Sequence, residues 1–384
     1  MTTAVYAFSG DPITYGHIDI IVRARLVFDR VIVAIGINPD KSYTFNLQER
    51  EEMARKCFFD PAIEVMSFSN LLVDFAYEQG ASVIIKGVRN SADFDYESIL
   101  DAVGKSQEVG IDTHILFADP KLSHISSTVV KSIAKHNGDI SNYVPLHVKQ
   151  AIEQRLYGLD MGQTIIGVTG EIGSGKSYIG GVLSRYKQQT GGYIDVHNIE
   201  LDHIGHDILC KLTEPAYVKV REEICEKILP CPPEPDGFIN REVLGSIVFT
   251  DRRKLKILNK ILEKPIMIRL RQELSGKHGV ILINCALLAE AGLLHLCNNN
   301  VILVGVDKDT QRQRLFDRGL TGNQIETRLA CQYDYGIKKV QIEAAIREHN
   351  HGHLWEIDNS SRSYYLSTED IYEKFGKIID EIMS

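Results

Sequence analysis

The chain has 384 residues, 44% hydrophobic and 24% charged, which excludes disorder over most of its length. At roughly 150 residues per domain, that length predicts two or three domains. Lys and Arg total 43 against 51 Asp and Glu, a net charge of −8, with 15 basic against 20 acidic groups in residues 1–158 and 28 against 31 in the rest; no broad nucleic-acid-binding face is expected.

Thr3–Ala7 reads as a short apolar strand followed by a Gly/Asp/Pro turn. Helical spacing predicts a helix over Ile18–Phe28, and the continuous apolar run Val31–Ile37 predicts a buried parallel strand. Leu47–Phe58 follows as a helix, Ile63–Phe68 as a strand, Leu71–Gln79 as a helix, and Ser82–Lys86 and Thr113–Phe117 as strands. Ser126–Asn137 is a helix opened by hydroxyl residues, and Leu146–Tyr157 closes the block. After the polar connection Gly158–Gln163 the alternation restarts with a strand at Thr164–Thr169 and a helix at Ser177–Gln189. Residues 208–275 read as mostly helical, interrupted by the proline-rich loop Pro230–Gly237. Strands at Val280–Asn284, Val301–Asp307 and His353–Ile357 and a helix at Thr368–Ile382 complete the pattern. The expectation is an α/β chain with two parallel sheets flanked by helices: a domain over 1–158, a linker over 159–163 and a domain over 164–384.

The seven cysteines form no CxxC pair, which argues against a disulfide framework or structural zinc and for a reducing compartment. His349, His351 and His353 alternate without a further metal motif and read as a polar turn. No signal-peptide pattern precedes the first apolar run and no apolar stretch reaches about 18 residues, so a cytoplasmic protein without a membrane partner is expected.

Gly170-Glu171-Ile172-Gly173-Ser174-Gly175-Lys176-Ser177 matches the GxxxxGKS phosphate loop, between a predicted strand and a predicted helix. Its glycines let successive N–H groups turn inward and the helix start favours negative charge. Lys176 can reach the outer phosphates and Ser177 can offer its hydroxyl to Mg2+. A GTPase would need NKxD, whereas Asn259-Lys260-Ile261-Leu262 lacks the aspartate. A small-molecule kinase needs an acidic group near the acceptor and cations over the transferring phosphate. Glu200-Leu201-Asp202 offers the first; Arg314 and Arg318, four apart on a predicted helix, offer the second.

Residues 164–384 resemble dephospho-coenzyme A kinase through Thr169–Ser177, Glu200-Leu201-Asp202, Asp236-Gly237 with Asn240-Arg241, Leu287-Leu288 with Glu290, Gln311 to Arg318, Arg328 with Gln332, and Asp358-Asn359-Ser360. The resemblance implies ATP-dependent phosphorylation of the ribose 3'-hydroxyl of dephospho-CoA. Asp202 would accept the hydroxyl proton or orient the hydroxyl, with Glu200 as its companion. Lys176, Arg314 and magnesium would stabilise the transferring phosphoryl, Arg318 would help hold the nucleotide, and a lid helix carrying Arg314 would exclude water. The chain departs from the family at Asn284, Ala286 and Ala289, at Glu263-Lys264 with Pro265 displaced, and at the shortened Arg318-Gly319.

In the first half, Thr14-Tyr15-Gly16-His17 follows the first strand and opens the first helix, where donors point at an anion. Ser9, Lys41 beyond Asn38-Pro39, Lys86 and Arg89 after the fourth strand, and Ser126-Ser127-Thr128 at a late helix start all follow strands, so an open sheet would gather them at one crevice. Residues 1–158 resemble bacterial-type phosphopantetheine adenylyltransferase, a Rossmann-like nucleotidyltransferase, on these positions together with Asp11-Pro12, Glu49-Arg50, Asp93 to Glu97 and Ile125 to Lys131. The resemblance implies that ATP and 4'-phosphopantetheine give dephospho-CoA and pyrophosphate without a covalent enzyme intermediate. His17 and Lys41 would stabilise transition-state charge. Lys86 would hold the acceptor phosphate, and Arg89 with Ser126–Thr128 the ATP phosphates. Ala7-Phe8-Ser9-Gly10 stands where the family reads Pro-Gly-Thr-Phe, Lys86 replaces an arginine and Gly104 an asparagine. The two resemblances imply consecutive reactions, ATP as co-substrate of each, and self-association. The alternatives at this point are an adenylyltransferase for another phosphorylated acceptor joined to a nucleoside kinase, or a chain in which only one domain is catalytic and the other is a nucleotide-binding regulatory or scaffold domain.

Overall fold

The computed structural model describes residues 2–38, 41–156, 162–186, 194–229, 236–360 and 365–383, and the chain divides into two units, Met1–Leu156 and Tyr157–Ser384. In the first unit the elements run β1 (Thr3–Phe8), α1 (Tyr15–Arg25), β2 (Arg30–Ile35), α2 (Leu47–Arg55), β3 (Ile63–Ser67), α3 (Leu72–Glu78), β4 (Val83–Val88), α4 (Ser91–Lys105), β5 (Asp112–Phe117), α5 (Ser127–Ala134) and α6 (Leu146–Leu156). The sheet is parallel in the order β3-β2-β1-β4-β5. Side-chain alternation explains its layering. Ala4, Val31 and Val33 face Ile20, Ile21 and Ala24 of α1, whereas Val5, Ile32 and Ala34 face Phe75 and Ala76 of α3. Burying an isoleucine such as Ile20 or Ile21 contributes about 1.5–3 kcal/mol. The chain winds from β1 through β2 to β3, then returns across β1 to β4, so a crevice opens beyond the carboxyl ends of β1 and β4.

Two buried polar anchors shape the loops around that crevice. The Asp11 carboxylate accepts from the backbone N–H of Thr44 at 3.1 Å and Phe45 at 3.0 Å and pairs with Lys131 at 2.5 Å. Arg50, 1% exposed, donates to the carbonyls of Ser9 and Gly36 and lies 3.9 Å from the centre of the Tyr43 ring. Removing either partner would leave a buried charge or carbonyl unsatisfied.

The second unit runs β6 (Gln163–Gly170), α7 (Lys176–Leu183), β7 (Val196–Glu200), α8 (Leu201–Cys210), α9 (Pro215–Lys227), α10 (Arg241–Val248), α11 (Arg252–Leu274), β8 (Gly279–Asn284), a 3-10 turn at Leu294–Cys297, β9 (Val301–Gly305), α12 (Lys308–Asp317), α13 (Gly322–Ala330), α14 (Tyr335–His349), β10 (Leu354–Asp358) and α15 (Thr368–Met383). Its parallel sheet has the order β10-β9-β6-β8-β7, with every residue of central β6 buried. Ile179, Val182 and Leu183 of α7 and Ile371, Phe375, Ile378 and Ile379 of α15 cover one face. The other face carries α8, α9, α10 and α11 through Ile204, Ile208, Ile224, Leu244 and Leu258. Buried Arg221 of α9 ties this helical layer together by donating to the carbonyls of Ile208 and Leu212 at 2.8 Å and Gly237 at 2.7 Å. Pro265 is buried inside α11, which continues through it.

The structure adds α4, β7, α13 and α14 to the predicted elements. None shows an apolar pattern of the expected kind: no residue of α4 is buried, α13 buries Ile325 alone, α14 buries Lys338 and Ile342, and Val196-His197-Asn198-Ile199-Glu200 is mostly polar although it pairs with β8. Helix α1 starts at Tyr15 rather than Ile18 because Thr14 supplies the cap, and α7 ends at Leu183. Pro39, the end of the helix predicted to Tyr157, most of the predicted connection Gly158–Gln163 and most of the loop Pro230–Gly237 lie outside the described residues. Among the described residues no helix is long and apolar enough to cross a membrane. His349 places Nδ1 3.0 Å from the Ala345 carbonyl, beside the turn into β10.

Gly170 closes β6 at φ +152°, and a Cβ there would fall 2.3 Å from the Val304 carbonyl oxygen of β9. Gly170→Ala is therefore expected to cost at least about 1–3 kcal/mol in backbone strain alone, read as a lower denaturation midpoint for this unit.

Candidate active sites

In the first unit, a cleft of about 530 Å³ is lined by Ser9, Gly16, His17, Lys41, Lys86, Arg89 and Ser126–Thr128, the residues singled out in sequence. The imidazole of His17 is oriented from its own helix start. Its Nδ1 accepts the backbone N–H of Thr14 at 3.0 Å, which leaves the ring proton on Nε2. Burial lowers its pKa from 6.5 to about 4, with Arg89 acting in the same direction, so the ring is a neutral donor. Phe8 stacks on this imidazole with ring centres 4.5 Å apart. The same phenyl ring fills the space beside Gly10, where an added Cβ would lie 3.3 Å from it. Phenylalanine at 8 and glycine at 10 are thus complementary: one aromatic ring occupies the turn, supplied from the other side of Ser9.

Two of the cleft's cations have a carboxylate that aims them. Lys86 pairs with Glu97 at 2.8 Å, and Arg89 makes a fork to Asp93 at 2.8 and 3.1 Å, both acids coming from α4. Asp93 is held below the usual carboxylate range by its hydrogen bonds with Arg89. Lys41 is exposed and reaches the Ser9 hydroxyl at 3.4 Å. Ser126 caps α5 by accepting from Val129 N–H at 3.2 Å, and Ser127 donates its hydroxyl to the Pro12 carbonyl at 2.8 Å, so these two side chains build the helix start. Gly16 has no positive φ, and a Cβ there would come no closer than 3.6 Å to the protein. The packing of the protein itself therefore does not require glycine at 16.

In the second unit the loop from Gly170 to Ser177 curls around an open nest, with Gly173 at φ +82° and Gly175 at φ +91°. Lys176 folds onto the loop, donating to the carbonyls of Gly170 at 3.0 Å and Glu171 at 2.9 Å. Burial lowers its pKa to about 8 against the opposing pull of Asp202. Asp202, at the start of α8, has its carboxyl raised by the protein crowded about it, with Lys176 acting the other way. The Ser177 hydroxyl donates to Glu200 Oε2 at 3.0 Å, and Asn198 Nδ2 donates to the other Glu200 oxygen at 3.2 Å. Asn284 is buried on β8 beside Glu200 on β7.

Arg314 and Arg318 differ from the shared open face expected of them. Arg314 is 1% exposed and donates to the carbonyls of Gly173 at 3.3 Å, Ser174 at 3.2 Å and Asn359 at 2.9 Å, while Arg318 stands exposed at the end of α12 within electrostatic reach of Lys176. Arg314 holds the loop in shape because its fixed fork of donors meets three converging carbonyls. Sequence reasoning named Gln311 and Gln332 only within the resemblance and gave neither a role; in the structure Gln311 donates to the Ile172 carbonyl at 2.8 Å and Gln332 accepts from Ile172 N–H at 3.1 Å, so both position the loop.

Known proteins show the same division. A cytidylyltransferase-like family model matches residues 9–133, and the dephospho-CoA kinase family model matches residues 164–352. The phosphopantetheine adenylyltransferase of Clostridium perfringens strain 13 is 40% identical over 160 residues, 41% of this chain and 98% of its own. That of Nautilia profundicola is 46% identical over 145 residues, 38% of this chain and 94% of its own. The chain belongs to the phosphopantetheine adenylyltransferase and dephospho-CoA kinase families, one in each half. A solved dephospho-CoA kinase from Campylobacter jejuni aligns over 57% of this chain and 97% of its own at 22% identity and a TM-score of 0.32, a likeness too loose to add weight. Membership in both families gives the chain the last two steps of coenzyme A biosynthesis: adenylyl transfer to 4'-phosphopantetheine, then phosphorylation of dephospho-CoA, with ATP the co-substrate of each.

The buried imidazole has a measurable signature. Nitrogen NMR is expected to show His17 as the Nε2–H tautomer from pH 8 to about 5, and Phe8→Ala is expected to move its pKa back toward 6.5. An unfolded histidine protonates near 6.5 and the folded one only near 4, so this residue withdraws stability as pH falls through that window.

Proposed function

We propose that each half carries its own complete site: the cleft beyond β1 and β4 performs adenylyl transfer, and the loop between β6 and α7 performs phosphoryl transfer. The observation that carries the first assignment is the neutral His17 facing the same cleft as Ser9, Lys41, Lys86 and Arg89. An oxygen of the 4'-phosphopantetheine phosphate attacks the α-phosphorus of ATP, the bond to the bridging oxygen breaks, and pyrophosphate leaves. His17 and Lys41 bear the charge developing on the α-phosphoryl oxygens. Lys86 holds the attacking phosphate, and Arg89 with the α5 helix start receives the departing pyrophosphate. Glu97 and Asp93 keep both cations pointed before substrate arrives.

In the second half, Asp202 orients the 3'-hydroxyl of dephospho-CoA and takes its proton as that oxygen attacks the γ-phosphorus of ATP. Lys176 and Arg318 carry charge from the transferring phosphoryl, while Arg314 keeps the loop carbonyls turned away from it. Magnesium fits here: Ser177 offers a hydroxyl next to the Glu200 carboxylate, both hard oxygen donors. Among the described residues no group of three or more His, Cys, Asp or Glu is placed to hold a metal alone, as suits an ion shared with substrate phosphates. When bound, the ion neutralises phosphate oxygens.

The chain also associates with copies of itself in this reading. The support is α4, a fifteen-residue helix with nothing buried that leaves Phe94, Tyr96, Ile99 and Val103 exposed. Free cysteines, and the absence of a membrane-crossing helix among the described residues, fit a cytoplasmic setting.

Lys176→Met is expected to abolish dephospho-CoA phosphorylation and leave pyrophosphate release intact, and His17→Ala is expected to do the reverse; loss of both activities in either folded variant rejects independent sites. The KM for ATP in the kinase assay is expected to rise above about pH 8, as Lys176 gives up the charge it carries below that pH. Ile99→Asp is expected to reduce the mass measured by light scattering without unfolding the chain.

A further inference from the structure

Lys338 is among the buried cations that the mechanism above does not use. Lys338, on α14, is 0% exposed, so it touches no substrate. Its Nζ donates to the Ala286 carbonyl at 2.6 Å and to Glu290 Oε1. The same Glu290 oxygen accepts from the Tyr333 backbone N–H at 3.0 Å. Ala286 begins the turn after β8, which runs beside β7 and the start of α8, and its backbone acts on the Asp202 carboxyl to draw its pKa down. A chain of contacts therefore leads from an ion pair on the far side of the turn to the carboxylate facing the acceptor. Gln332, six residues before Lys338, accepts from Ile172 of the phosphate loop at 3.1 Å, so the stretch entering α14 braces both the loop and the turn.

A simple packing role does not account for this choice of residue. A buried ion pair costs desolvation, and apolar side chains of the same volume would join α14 to β8 as firmly. An ammonium offers something they cannot: a directional donor that fixes one backbone carbonyl. Its charge also acts on the site, reaching both Lys176 and Glu171 of the loop.

We infer that Lys338, held by Glu290, is a positioning residue of the phosphoryl-transfer reaction, clamping Ala286 so that its backbone keeps the Asp202 carboxylate aimed at the acceptor hydroxyl. The inference rests on the reading of Asp202 as the group that orients that hydroxyl. A positioning residue shows in turnover and not in ATP binding, and its effect vanishes once the group it positions is gone.

The test uses the full chain and removes both charges together, as Lys338→Met with Glu290→Gln, so that no lone buried ion remains. Lys338→Arg is the conservative control. The doubly substituted protein is expected to lose roughly 10- to 100-fold in kcat for dephospho-CoA phosphorylation. Its KM for ATP is expected to stay within about twofold of the parent, and Lys338→Arg to recover much of the loss. Pyrophosphate release by the first half is expected to be unchanged. With Asp202→Asn already present, the same double change is expected to cost little more. If the two losses multiply, if KM for ATP rises while kcat holds, or if the doubly substituted protein does not fold, Lys338 is a structural residue and the inference is overturned. If Asp202→Asn alone leaves kcat intact, the reading of Asp202 itself has failed, and the positioning inference built on it falls with it.

Discussion

A phosphate group surrenders its water only to a surface already rich in fixed donors. That requirement organises both halves of this chain. A parallel sheet brings every strand out at the same edge, and the helices that follow begin there with unpaired N–H groups and a field that favours anions. Both halves place their candidate site at that edge, beyond β1 and β4 in one and beyond β6 in the other. The net charge of −8 is no obstacle, because the cations that matter are few and local.

Donors arranged this way would collapse onto neighbouring carbonyls unless the loops carrying them were held. Much of the buried polar chemistry serves that purpose. Asp11 with Lys131 and Arg50 with Ser9 and Gly36 tie down the turn before α1; Arg314, Gln311, Gln332 and Asn359 do the same for the phosphate loop. Their common device is a charged or amide side chain satisfied by backbone groups, which resists movement because any shift breaks several hydrogen bonds at once. Lys176 shows the complementary behaviour. Its ammonium rests on two loop carbonyls and can exchange them for phosphate oxygens without losing its partners.

Departures from family pattern read differently once packing is known. Phe8 in place of glycine would obstruct a phosphate if the rest of the turn were unchanged, but Gly10 vacates the space its ring fills and His17 takes the ring as a stacking partner. Asn284 lacks a carboxylate charge, yet Glu200 on the adjacent strand brings one to the Ser177 hydroxyl. A change judged alone looks damaging; judged with its neighbour it preserves the local chemistry.

The linear chain determined whatever depends on short-range pattern. The GxxxxGKS run, the TxGH tetrad at a helix start, the alternation of apolar strands with helices and the post-strand placement of Lys41, Lys86 and Arg89 are all local signals, and they name His17 and the cations that line the first cleft. Only the tertiary structure decided which cations face substrate and which serve the scaffold. Arg314 and Arg318 look alike at a spacing of four, yet one is sealed under the loop and the other open, because burial depends on what packs over α12. Helices α4, α13 and α14 and strand β7 escaped the pattern for a related reason. Periodicity reports a helix or strand through its buried face; α4 buries none of its residues, α13 and α14 bury one and two, and β7 buries only Val196 and Ile199 while pairing along β8. The long-range contacts, Lys338 to Ala286 and Glu290 among them, join residues about fifty positions apart, a distance at which chain order carries no information about proximity.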